Sequence, residues 1–144
     1  MDNKEFKGIM QECVFQYGFI YQNKNYYYTN DDLIIVFNCQ KSSYENAYYI
    51  NYGFWIKEIH ENKKFPTIEE CDIMGRFSSM IDEKVKYIFC LDALNKESFV
   101  TDIKRNVNIS IIPVMEKGIK KYFEIYPQAI CAAKIALKDY LKKG

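Results

Sequence analysis

Residues Leu33–Ile59 read LIIVFNCQKSSYENAYYINYGFWIKEI. Two long antiparallel strands are predicted here, Leu33–Lys41 and Ala47–Ile59, joined by a polar turn at Ser42–Asn46. In the second strand the even positions Tyr48, Ile50, Tyr52, Phe54 and Ile56 alternate with Tyr49, Asn51, Gly53, Trp55 and Lys57. That is the period of two that puts successive side chains on opposite faces of a sheet. One face is core. The other carries Asn38, Gln40, Tyr49, Asn51, Trp55 and Lys57, a mixture suited to binding more than to packing. Ile34 and Val36 share that second face, so its end nearest Leu33 is expected to be covered and the rest open. Gly53 marks a bulge or the close approach of another group.

Working outward, Asp2 can cap a helix with Glu5 three residues on. Phe6, Ile9, Met10, Cys13, Val14 and Tyr17 follow at helical spacing, and Gly18 is placed to end that helix. Phe19–Gln22 and Tyr26–Thr29 read as short strands around an Asn23–Lys24–Asn25 turn, and Asn30–Asp32 as the next turn. His60–Glu70 is a charged loop. Cys71–Ser78 reads as a strand with Asp72, Met74 and Arg76 on one face. Lys84–Leu91 is ambiguous and is assigned as strand for its Val, Tyr, Ile and Phe. Beyond it the chain is helical: Phe99, Val100, Ile103 and Val107 form a stripe, a helix restarts near Pro113, and Pro127 begins a last helix with Ile130, Ala133, Leu137 and Leu141. Strands in one block with helices at both ends define an α+β class. The expected architecture is a single domain over residues 1–144. It holds an antiparallel meander of about five strands, with the N-terminal and C-terminal helices packed on the sheet.

A length of 144 residues, 49% hydrophobic and 27% charged, is enough for a real core and excludes disorder as the main state. No apolar run approaches the ~18 residues that cross a bilayer. No signal-peptide core precedes the first helix, so a cytoplasmic location is the expectation. The five cysteines are odd in number and widely spread, which reads as free thiols and not as a disulfide framework. The net charge of +1 drives the chain onto neither nucleic acid nor membrane. Seven lysines from Lys117 onward are read as solvated helix faces, so no nucleic-acid partner is expected. The thirteen tyrosines accompany many Lys, Asn and Ile residues, all encoded by A/T-rich codons, so their number alone does not indicate binding.

The sequence holds no phosphate-cradling glycine loop, no nucleophile elbow and no C-x-x-C pair. No cofactor and no metal are expected. His60 is the only histidine; at the edge of a charged loop it is read as solvated, with no third group to orient a Cys/His pair or a metal site with Asp72, Cys71 and Glu58. Asp72 and Arg76, ~13 Å apart along a strand, each need another partner. For Arg76 that is either a carboxylate such as Glu58 or a bound ligand. Trp55 leaves two readings open, core residue or interaction anchor.

The helix ending in YGF, the strand DDLIIVFNCQKS, the segment YYINYGFWIKEIH and the motif CDIMGRF together resemble the bacterial family called domain of unknown function 4304. The resemblance is strongest over Asp31–Phe77. It implies a compact α+β domain and transfers no catalytic residue. The reading of function is therefore a non-enzymatic protein-binding module using one sheet face, with Asn38, Gln40, Tyr49, Asn51, Trp55, Lys57 and Arg76 as candidate contacts. Immunity proteins that block a toxin are the analogy at the level of fold. The alternative is a small-molecule-binding protein, or an enzyme using Asp72, Arg76 and His60, with a pocket between the sheet and the C-terminal helices. If Ala47–Ile59 is an unpaired edge, a homodimer is a further option.

Overall fold

The computed structural model describes residues 1–143. Helix α1 (Asn3–Phe15) begins where Asp2 accepts a hydrogen bond from the Glu5 amide at 2.8 Å, and it buries Phe6, Ile9, Met10, Cys13 and Val14. Strands β1 (Ile20–Gln22), β2 (Asn25–Thr29), β3 (Leu33–Lys41), β4 (Ala47–Ile56) and β5 (Ile73–Arg76) form an antiparallel meander in that spatial order. The β1–β2 turn places Asn23 and Lys24 at φ of 53° and 66°, the left-handed pair that a tight hairpin requires.

Strand β4 is the hub. Nine of its ten residues pair with β3, from Leu33↔Ile56 to Lys41↔Tyr48. Its other edge pairs with β5 at residues 51–54 and with β8 (Phe89–Cys90) at residues 47–48. β4 is thus an interior strand and not the unpaired edge considered for self-association. Strands β6 (Ser79–Ile81) and β7 (Lys84–Lys86) make a separate hairpin, so the predicted strand Lys84–Leu91 is two short strands in two different sheets.

The helices are α2 (Lys96–Asn106), α3 (Ile112–Lys117), α4 (Ile119–Ile125) and α5 (Ile135–Lys143). Between α2 and α3 the chain does not stop. Val107–Ile111 widens into a π-helical turn, and Pro113, which has no amide proton to give, sits in the first turn of α3. The helix expected from Pro127 is divided: Pro127–Ala132 is a 3-10 segment, and extended backbone at Ala133 separates it from α5.

The main core lies between the first sheet face and the helices. Phe6 is its centre, stacked on Tyr48 at 4.5 Å and on Phe99 at 4.4 Å between ring centroids. A second, smaller core lies on the other face, where Tyr27, Ile34, Val36 and Trp55 meet Phe65, Ile68 and Cys71. The segment between β4 and β5 folds back as a strap over this half of the sheet, tied by the Tyr27 hydroxyl donating to the Pro66 carbonyl at 2.9 Å. The end nearest Leu33 is thus covered, as Ile34 and Val36 require.

A polar platform on the open half of the sheet

Beyond the strap the second face is built in rungs. Register sets Asn38 opposite Asn51 and Asn51 opposite Arg76, so three polar side chains from β3, β4 and β5 stand in one row. Gln40 and Tyr49 form the next rung. Neighbours across such rungs are close enough to bond directly. The Asn51 amide nitrogen donates to Asn38 Oδ1 at 2.9 Å and to Gln40 Oε1 at 3.0 Å. Its oxygen accepts from Arg76 Nε at 2.9 Å. Arginine only donates, so this contact fixes which way the Asn51 amide points. Asn51 is buried at 8% exposure with every polar atom engaged.

Arg76 is held from a second side. Its guanidinium carbon lies 4.1 Å from the centroid of the Tyr49 ring, a cation–π contact. With Nε committed to Asn51, no group among the described residues accepts from its two terminal nitrogens. The exposed fork is oriented yet unpaired. A depression of about 260 Å³ adjoins it, lined by Asn51, Ile68, Met74, Gly75 and Arg76. Met74 is 48% exposed there and supplies an apolar contact beside the charge.

Five of the seven candidate residues, Asn38, Gln40, Tyr49, Asn51 and Arg76, therefore stand together. Trp55 and Lys57 do not join them. Trp55 is in the covered half, 7% exposed, with its ring stacked on His60 at 3.9 Å. Lys57 lies past the end of β4, in a turn where its amide donates to Asp32 at 3.0 Å. The strand stops at Ile56 because the amides of Ile59 and His60 turn back to Ile56 and Lys57. Arg76 forms no ion pair with Glu58; its partner is the amide of Asn51.

His60 is not the solvated loop histidine that its position suggests. Its Nε2 is 2.7 Å from Asp72 Oδ1, and the other carboxylate oxygen accepts from the Ile56 amide at 2.8 Å. Asp72 is 1% exposed. The pair closes the strap onto the end of β4 and stands apart from Arg76. Next to it, burial pushes the Cys71 thiol up to about 12, with the Asp72 charge adding to the effect. A thiol held protonated is a packing group and a poor nucleophile. Among the described residues no three His, Cys, Asp or Glu side chains are grouped to hold a metal ion, and no helix is long and apolar enough to cross a membrane.

The model of the family described as a domain of unknown function, DUF4304, matches residues 10–117. The chain belongs to the DUF4304 family. The matched stretch includes all eight strands, and with them the platform, the strap and the His60–Asp72 pair. Neither the curated proteins nor the solved structures yield a match to this DUF4304 chain.

Proposed function

We propose that this DUF4304 domain is a protein-binding module that docks a partner on the open half of its second sheet face. The observation that carries the reading is the Arg76 fork, oriented by Asn51 and Tyr49 and left without an acceptor. A guanidinium in that state matches a carboxylate in bidentate fashion. The occupant is accordingly a partner protein presenting an Asp or Glu side chain to Arg76 and an apolar contact to Met74. Ordering of the fork before contact lowers the entropy cost of binding. Arginine and tyrosine are also the residue types that dominate binding energy at protein interfaces. A small cytoplasmic protein of the immunity type, acting by occlusion and not by catalysis, fits this surface.

The test is capture of partners from native cells with the wild-type domain, followed by affinity measurement with the purified partner. Wild type should bind one protein stoichiometrically, and Arg76→Ala should weaken it about 30-fold or more, as for an interface hot spot. Arg76→Lys should restore little, since a lysine cannot reproduce the fork. Equal affinity of wild type and Arg76→Ala would remove the platform as the docking surface.

A further inference from the structure

A different cavity, of about 580 Å³, lies between the β4–β5 edge of the sheet and the C-terminal helices. The rings of Tyr52, Tyr87, Tyr122 and Tyr126 line it together with Ile125 and Pro127. Gly75 is the reason that Tyr52 can reach there: a Cβ at position 75 would lie 2.3 Å from the phenol ring and hydroxyl. Four hydroxyls gather at this place. Tyr52 and Tyr122 are 2.7 Å apart, oxygen to oxygen, and Ser110 and Tyr126 are 2.6 Å apart.

The protons of this cluster do not balance. Each hydroxyl brings one proton, and each pair uses one. No carbonyl or carboxylate among the described residues accepts from any of the four. Even joined in a single row, four hydroxyls use only three protons among themselves. One donor is left over beside a cavity walled by aromatic rings. Tyr52 and Tyr122 are buried and Tyr126 is exposed at the rim, so the surplus donor can turn toward the cavity, where an acceptor can sit.

We propose that this cavity is a binding site for a small flat aromatic molecule carrying an acceptor oxygen. The oxygen takes the surplus hydroxyl proton, and the ring packs edge-on or offset against the tyrosines. The site borders the platform, since Arg76 lines both depressions, and the tyrosine hydroxyls set it apart.

Titration of the ¹⁵N-labelled domain with benzoate, benzamide and toluene, followed by amide shifts, tests this. Benzoate and benzamide should give saturable shifts at Gly75 and across residues 122–129, and toluene should bind about tenfold more weakly, the loss of one hydrogen bond. The triple variant Tyr52→Phe, Tyr122→Phe, Tyr126→Phe removes every tyrosine hydroxyl from that cluster while keeping the rings, and should bind the two oxygen-bearing probes about as weakly as toluene. Tyr87→Ala, which removes an exposed ring of the wall, is the reserve should the triple variant fail to fold, and it should weaken all three probes severalfold. Absence of saturable shifts with both oxygen-bearing probes, equal binding of toluene, or unchanged affinity in the folded variants would each overturn the proposal.

Discussion

Arg76 and Trp55 were read on one face of one sheet, yet they call for opposite experiments. Arg76→Ala strips the buried Asn51 oxygen of its donor and Tyr49 of its cation, so it should cost about 1 kcal/mol in stability while weakening binding about 30-fold or more. Trp55 fills the core under the strap, and Trp55→Ala should cost about 3–5 kcal/mol in urea unfolding. Asn51→Leu keeps the branched shape and removes the buried amide that joins Asn38, Gln40 and Arg76; a loss of about 1–3 kcal/mol is expected, with weakened binding. The glycines carry steric meaning of the same kind. A Cβ at Gly53 would meet Cys71 Sγ at 2.7 Å, which is the close approach that a glycine inside a strand implies. Gly53→Ala should destabilise by about 1–3 kcal/mol through overpacking, measured by the same unfolding assay.

At the scale of elements, alternation and caps carried most of the reading. Leu33–Lys41 is the strand β3 to the residue, and Asp2 caps α1. Elements whose ends depend on distant partners were less legible. No glycine or proline follows Ile56 until Pro66, so the turn that takes Lys57 off the face is masked in the sequence. The platform was visible as composition, but its bonding depends on register: only the pairing of Asn51 with both Asn38 and Arg76 makes one network of three strands. His60 and Asp72 are twelve residues apart across the strap, and no local signal joins them. Their contact makes a further prediction. His60→Ala removes both the ring stacked on Trp55 and one partner of a buried carboxylate. A cost of about 2 kcal/mol is expected, below the value for a fully buried pair because the histidine side chain is 23% exposed. Hydrogen exchange should quicken first in the strap and at Ile56, while the α1 core keeps its protection.

Across the whole molecule, several buried thiols and phenols are held in their neutral form. Burial raises Cys71 to about 12, and Tyr26 and Tyr52 are pushed up for the same reason. Unfolding releases these groups to ordinary values, so above about pH 9 the unfolded chain gives up protons that the folded chain retains. Their stabilising contribution is complete below that pH and is lost as pH rises toward 12. Denaturation at pH 8 and pH 10.5 should show the fall, and Cys71→Ala should lessen it by up to about 2 kcal/mol, the value of a 1.5-unit interval in pH. The fold as a whole divides its labour. Helices close one face of the sheet, a strap closes half of the other, and the remaining half holds an oriented arginine in a polar rung. Hydrogen exchange on the reconstituted complex with the captured partner is the most direct measurement of that claim. The account predicts slowed exchange at residues 38–41, 49–51 and 74–76, lost in the Arg76→Ala variant. Slowed exchange confined to the helices or to the β6–β7 hairpin, with the platform unchanged, would contradict it.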